Sequence, residues 1–241
     1  MRLARREIDA YRRVGPFAGT VELRDDVSSL MVVGRELLVG TDSWLPRHRL
    51  DGLVHHEVGT HMFTAETGGR QPLRMLEHGT AGYEETQEAL GVLSEYLVEG
   101  LDEERLRILA ARALAARLLV DGAGFVDVVD ALVAHRFAER AAFTITTRVF
   151  RGGGFTKDVV YLRGLVRLVD HLGDHPIDPL LVGKFHLDDL PTIESLLDAG
   201  VLRPTPLPRW VQDTDAARRL AALRTTPVST WLTRDPLQRS S

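Results

Sequence analysis

The most restrictive feature of the sequence is a pair of histidines, His56 and His61, five positions apart in a stretch that otherwise favours helix. Glu57 follows the first histidine, so the segment reads His-Glu-x-x-x-His. On a regular α-helix, five residues turn the chain by about 500°, which leaves the two side chains roughly 140° apart around the axis. A π-type turn, with hydrogen bonds from i to i+5, brings them back to one face. If the histidines act together, the helix is irregular between them, and Gly59 tolerates such a distortion.

This pattern is one residue longer than the HExxH motif, in which two histidines one helical turn apart bind one metal ion. In that motif the glutamate acts on the metal-bound water, and Glu57 follows His56 at the matching position. His55 is an alternative ligand in place of His56. The chain has no cysteine, so thiolate metal sites, disulfides and cysteine nucleophiles are excluded. Any metal site therefore uses histidines and carboxylates.

A two-histidine site needs a third protein ligand, and the next helical stretch supplies four carboxylates. They are Glu84, Glu85, Glu88 and Glu95. Glu88 follows His61 by 27 residues, which leaves room for a loop and an antiparallel helix. Most of these carboxylates share roughly one helical face, so spacing alone does not choose among them. A solvated acidic face is an equally good interpretation of the same pattern.

The rest of the chain predicts a mainly helical α+β fold with a small N-terminal β-sheet. Short aliphatic runs within residues 19–40, with a turn at Gly34-Arg35, predict the sheet and a hairpin. Apolar residues at helical spacing and turn residues between them predict the helices. These span residues 2–13, 45–67, 84–98, 101–120, 124–139, 141–150, 158–172 and 191–199. We expect a single domain over residues 1–225 and a frayed C-terminal tail over 226–241.

Charge and hydropathy narrow the classes of partner. A net charge of −4 argues against a sequence-independent nucleic-acid binder. No stretch approaches the about 20 apolar residues of a membrane span. The opening segment MRLARREIDAYRR is charged throughout and lacks the apolar stretch of a signal peptide. We therefore expect a cytoplasmic protein that binds neither nucleic acid nor membrane, while the sequence leaves the oligomeric state open.

Three blocks in order, HHEVGTH, QPL with TQEALG, and TRVFRGGGFTKDVVYL, resemble the flavohaemoglobin-expression-modulating QEGLA-motif proteins. That family is similar to the tubulin tyrosine carboxypeptidases of animal cells. Its TQEGLA pattern stands here at residues 86–91, with glycine and alanine exchanged around the leucine and the glutamate retained. The resemblance covers nearly the whole chain. Family members usually continue further on the N-terminal side, so we expect a cleft that lacks part of its N-terminal wall.

The resemblance implies a zincin-like metallopeptidase fold, with zinc bound by His56, His61 and Glu88 and with Glu57 as the catalytic carboxylate. Zinc lowers the pKa of its bound water to about 7, and Glu57 can then take the proton as general base and return it to the leaving amine. The implied activity is that of a zinc-dependent carboxypeptidase acting on a peptide or protein C-terminus. The alternative is a non-catalytic regulatory protein that retains the fold.

A carboxypeptidase also has to recognise a free C-terminal carboxylate, and arginine does so through two parallel hydrogen bonds. Arg148, Arg151 and Lys157 cluster beside the glycine run of the third block and are candidates for this contact. Tyr161, one turn after Lys157, is a candidate donor to an oxyanion. A solvated basic loop is the alternative interpretation of these residues.

Overall fold

The computed structural model describes residues 1–27, 29–151 and 157–223, and it confirms a mainly helical chain with a small sheet. The helices are α1 (Arg2–Val14), α2 (Leu50–His56), α3 (Phe63–Gly69), α4 (Met75–His78), α5 (Tyr83–Leu97), α6 (Glu103–Val120), α7 (Phe125–Ala134), α8 (Glu139–Phe150), α9 (Lys157–Leu172), α10 (Leu190–Asp198), α11 (Arg209–Gln212) and α12 (Thr214–Leu223). Among the described helices, none combines the length and apolar character needed to cross a membrane. The tail predicted over 226–241 lies outside the described residues.

Three strands form the sheet, namely β1 (Thr20–Arg24), β2 (Leu30–Val33) and β3 (Glu36–Gly40). β2 and β3 form the predicted antiparallel hairpin, and Gly34 adopts a left-handed φ of 60° in its turn. β1 pairs with the other edge of β3 in the parallel direction, so the sheet is mixed, with β3 in the centre. The sheet contacts the helical stretch that carries the two histidines.

Helix α5 lies in the centre of the core. It packs against α2 and α9 and also contacts α11 and α12. Its residues Leu90, Leu93 and Leu97 follow one another at helical spacing and are fully buried. Since neighbours surround the helix on several sides, its polar residues Glu88 and Glu95 are buried as well. A buried carboxylate is costly without partners, so both residues require specific neighbours.

Helices α6, α7 and α8 enclose a second apolar cluster, which includes Ala115, Val128 and Leu132. The prediction of a single helix over 124–139 is wrong at the C-terminal end of that range. Helix α7 stops at Ala134, and Arg136 adopts a left-handed φ of 63° before α8 begins. Helix α6 contacts both α8 and α9.

Candidate metal centre

The helical stretch that carries the histidines runs from Leu50 to Gly69, and its hydrogen-bonding pattern changes in the middle. Residues Glu57–Met62 form a π-helix, which we call the π segment, between α2 and α3. The irregularity predicted from the histidine spacing is therefore confirmed. The imidazole rings of His56 and His61 lie 4.9 Å apart between centroids, at an interplanar angle of 79°. The distortion thus brings both rings to one side of the helix.

Side chains satisfy the backbone carbonyls around the π segment. Trp210 donates from Nε1 to the carbonyl of Gly59 over 2.9 Å, and the Thr60 hydroxyl donates to the carbonyl of His55 over 3.1 Å. The Thr64 hydroxyl donates to the carbonyl of Thr60 over 2.8 Å. A Cβ atom at Gly59 would lie 2.9 Å from Cδ1 of Trp210, so glycine lets the indole approach. These bonds stabilise a backbone that a regular helix would not adopt.

Glu88 on α5 completes a group with the two histidines. Its Oε2 atom lies 3.4 Å from Nε2 of His56 and 3.7 Å from Nε2 of His61. One ligand atom from each residue lies within 4.8 Å of the others. In the described part of the chain, no other group of three or more histidines and acidic residues comes together in this way. We call His56, His61 and Glu88 the ligand group.

The other candidate ligands lie elsewhere. Glu85 accepts hydrogen bonds from Arg163 and, over 2.9 Å, from Arg167. Glu84 is half-buried and is not part of the ligand group. Nδ1 of His55 lies 3.6 Å from Oε1 of Glu7 on α1, away from the ligand group. Of the alternatives that the sequence left open, the structure therefore brings together His56, His61 and Glu88.

Glu95, the fourth carboxylate, contacts the other nitrogen of His56. Its Oε1 atom lies 2.7 Å from Nδ1 of His56, and its side chain is fully buried. Burial raises the pKa of Glu95, but the charges of Arg105, His56 and Arg49 outweigh burial and lower it to about 2. Glu95 is therefore an ionised acceptor that orients His56, so that Nε2 points toward Glu88.

Gln87 plays the corresponding part for His61. Its Oε1 atom accepts a hydrogen bond from the Thr64 hydroxyl over 2.6 Å and lies 3.4 Å from Nδ1 of His61. This acceptor was not predicted from the sequence, although Gln87 directly precedes Glu88. Each histidine thus has an acceptor at Nδ1, which is the arrangement found around metal-binding histidines.

The electrostatics of the ligand group favour a positive charge at its centre. Burial lowers the pKa of His56, but Glu88 and Glu95 raise it to about 10. Burial raises the pKa of Glu88, yet the two histidines outweigh it and hold this pKa well below its usual value. Two imidazoles and one carboxylate, buried and oriented by further acceptors, fit a divalent metal and match the ligands of catalytic zinc.

The predicted catalytic side chains lie around the ligand group. Glu57, the first residue of the π segment, is half-buried, and its carboxylate acts on the pKa of His56. Within the described ranges, the Glu57 side chain makes no hydrogen bond or ion pair. Nζ of Lys157 lies 3.7 Å from Oε1 of Glu88, and its side chain is 54% exposed. Burial and the Glu88 carboxylate raise the pKa of Tyr161, so its phenol stays protonated at neutral pH. Helix α9 thus brings Lys157 and Tyr161 beside Glu88.

The two predicted arginines lie on α8 and at its end. Arg148 donates from Nε to Oδ1 of the buried Asp158 over 2.7 Å. Arg151 directly follows α8 and is exposed. The glycine run at 152–154 lies outside the described residues. The binding of a substrate carboxylate by Arg148, Arg151 or Lys157 stays a prediction.

The family profile of the microtubule-associated tyrosine carboxypeptidases matches residues 1–226. The chain belongs to this family. It is similar to "Microtubule-associated tyrosine carboxypeptidase 1" from Homo sapiens, with 31% identity over 211 residues, which is 80% of this chain and 43% of the relative. The Mus musculus relative of the same name is 27% identical over 219 residues, which is 83% of this chain and 45% of the relative. The chain thus spans less than half the length of these family members, and the QEGLA-motif resemblance is consistent with the family.

Proposed function

We propose that the protein is a zinc-dependent carboxypeptidase that acts on the C-terminus of a peptide or protein. The observation that carries this proposal is the convergence of His56, His61 and Glu88, whose ligand atoms lie within 4.8 Å of one another. Glu57 stands next to this group in the chain. The names of the relatives support peptidase chemistry at a C-terminus. We also propose a cytoplasmic protein with one domain over residues 1–225.

His56, His61 and Glu88 would hold the metal, and Glu95 and Gln87 would orient the two imidazoles. Zinc, when bound, lowers the pKa of its water ligand to about 7 and polarises a carbonyl group. Glu57 is free to accept the proton of the attacking water and to deliver it to the leaving amine. Its freedom from other described partners suits a group that has to exchange a proton.

Tyr161 is suited to stabilise the oxyanion that forms at the scissile carbonyl. Its hydroxyl is a protonated donor next to Glu88, and α9 holds it in place. A donor fixed where negative charge develops lowers the barrier without reorganisation. Arg148 acts electrostatically on Tyr161, and Lys157 lies 3.7 Å from Glu88. Together with Arg151, they are candidates to supply positive charge for the terminal carboxylate of the substrate.

A peptide-library digest read by mass spectrometry tests the proposal. We expect the zinc-loaded protein to shorten peptides from a free C-terminus and to leave the matched C-terminal amides intact. Equal cleavage of acids and amides would contradict a carboxypeptidase and leave a general metallohydrolase. If zinc-loaded protein cleaves no peptide, the non-catalytic regulator is favoured.

The substitution Glu57→Gln tests the roles within the site. Glutamine has nearly the same shape but cannot take the proton, so we expect zinc and fold to be retained while the rate falls by about 10²–10⁴. Elemental analysis should show one zinc per chain in Glu57→Gln and none in His61→Ala. Full zinc retention in His61→Ala would refute the ligand assignment, whereas zinc loss in Glu57→Gln would make Glu57 a ligand.

A further inference from the structure

Arg112 on α6 is a partly buried arginine that forms no ion pair in the described part of the chain. Its Nε atom is fully buried and makes no hydrogen bond there. Among the charged groups that act on the pKa of Arg112, Arg148 and Arg105 have the largest effects, and both are positive. Burial and these two arginines lower the pKa of Arg112 to about 10. We call Arg105, Arg112 and Arg148 the arginine cluster.

The carboxylates near the arginine cluster are already engaged. Arg148 donates to Asp158 over 2.7 Å. Arg105 lies 3.5 Å from Oε1 of Glu95, which is also bonded to a ligating histidine. The attraction between Arg112 and Asp158 is weaker than the repulsion of Arg112 by Arg148 and Arg105. A buried guanidinium that faces like charges is costly, so this position favours binding of a further anion.

The arginine cluster adjoins the ligand group through Tyr161. Cζ of Arg105 lies 6.0 Å from the centre of the Tyr161 ring, and Tyr161 interacts with Glu88. Arg112 also interacts with Tyr161. Arg105 and Arg112 are two helical turns apart, about 10 Å along one face of α6.

In a peptide, the terminal carboxylate lies one residue beyond the scissile carbonyl, and consecutive Cα atoms are about 3.8 Å apart. An anion site next to Tyr161 therefore suits that carboxylate.

We propose that Arg112 binds the C-terminal carboxylate of the substrate, while Asp158 holds Arg148 beside it as a second donor. This proposal rests on the carboxypeptidase function and identifies the residue that selects a free C-terminus. Arg151 and Lys157 are less suited, because the first is exposed and the second lies 3.7 Å from Glu88 with a side chain that is 54% exposed. A partly desolvated guanidinium binds a carboxylate more strongly than an exposed cation does.

Equilibrium binding to zinc-loaded Glu57→Gln protein tests the proposal without turnover. The probe is a fluorescein-labelled peptide ending in tyrosine, chosen after the names of the relatives and prepared as the free acid and as the amide. We expect anisotropy to show preferential binding of the free acid. Adding Arg112→Gln should weaken free-acid binding by about 30-fold or more and leave amide binding unchanged. Arg112→Lys keeps the positive charge but loses the planar guanidinium with its two parallel donors. Its affinity for the free acid should lie between those of the parent and of Arg112→Gln.

Arg117→Gln is the matched control. Arg117 is on the same helix, but its side chain is 74% exposed and pairs with Asp121. We expect this control to bind both probes like the parent. Arg112→Gln should unfold at the same temperature as the parent or higher, because it removes an unpaired buried charge, whereas a structural arginine would lower that temperature. In the active protein, Arg112→Gln should raise KM for free-acid peptides.

The outcomes separate the two proposals. If Arg112→Gln keeps the free-acid preference, or if acid and amide binding fall equally, the carboxylate site is refuted while the carboxypeptidase function can stand. If the active protein cleaves nothing but binds the free acid through Arg112, the carboxylate site stands and the catalytic function is refuted. Lack of any free-acid preference in the Glu57→Gln parent would also refute the carboxylate site.

Discussion

Glu95 lies outside the ligand group but contacts His56, so we expect it to influence metal binding. We predict that Glu95→Gln weakens zinc binding by about 10–100-fold, as other changes to the partners of ligating histidines do. The neutral amide is a weaker acceptor for Nδ1 of His56, and Arg49 and Arg105 lose their shared carboxylate. Competition with a fluorescent chelator measures the affinity. Glu99→Gln is the control, since Glu99 is 76% exposed and pairs with Arg219; equal affinities in the two variants would contradict the prediction.

The close approach of Gly91 to His56 gives a physical reason for the exchange of glycine and alanine in the TQEALG block. A Cβ atom at this position would lie 2.5 Å from Cε1 of His56, and Glu95 restrains that ring on its other side. We predict that Gly91→Ala weakens zinc binding about tenfold or more, although alanine stabilises a helix interior by about 0.5–1 kcal/mol relative to glycine. Isothermal titration with zinc measures the change.

The double variant Ala89→Gly/Gly91→Ala restores the family order and serves as the comparison. The Ala89 methyl faces Gly164 on α9, where an added Cβ would lie 3.2 Å from it. Removing that methyl frees space on the α9 side, so we expect the double variant to bind zinc more tightly than Gly91→Ala alone. Wild-type affinity in Gly91→Ala would mean that His56 can move away from the new methyl group.

Among the elements, the π segment depends on a residue from α11. We predict that Trp210→Phe lowers the free energy of unfolding by about 1–3 kcal/mol, because the buried Gly59 carbonyl loses its donor. Urea denaturation measures this change. Trp44→Phe is the matched control, since Trp44 is 83% exposed, and its effect should stay within about 0.5 kcal/mol. Similar losses in the two variants would indicate that the indole hydrogen bond does not stabilise the π segment.

The sequence predicted the features that one element determines by itself. The π segment followed from the five-residue spacing of His56 and His61, and the hairpin followed from the turn at Gly34. The choice of Glu88 over its neighbours did not follow, because it depends on how α5 is rotated in the core. The predicted end of α7 was also wrong, because no local sequence pattern indicates the left-handed conformation of Arg136.

Contacts that join distant parts of the chain were the least predictable. The parallel pairing of β1 with β3 and the gathering of Arg105, Arg112 and Arg148 both depend on packing between elements. The resemblance to a known family did point to Glu88 as the third member of the ligand group, because it carried the glutamate of the TQEGLA pattern to this position. Residue spacing and composition predicted a site of histidines and carboxylates, and the family pattern indicated which carboxylate belongs to it.

At the scale of the whole molecule, a bound metal would join the histidine-bearing helix to the central helix α5. We predict that zinc at about 100 times its dissociation constant stabilises the fold by about 2.7 kcal/mol, or roughly 5–10 °C in Tm. Calorimetry with zinc and with a chelator measures the shift. His61→Ala should show no such shift, and an equal shift in that variant would mean that zinc binds elsewhere.

The position of Trp210 along the chain has a consequence for synthesis on the ribosome. The indole that bonds to Gly59 lies 151 residues further along the chain. At about 5–20 residues per second, the ribosome needs roughly 8–30 s to translate that interval. For nearly all of this interval, both histidines have already been translated, whereas Trp210, the donor to the π segment, has not. The π segment therefore gains its indole donor only after most of the chain has been translated, and we expect the two histidines to be held in place late.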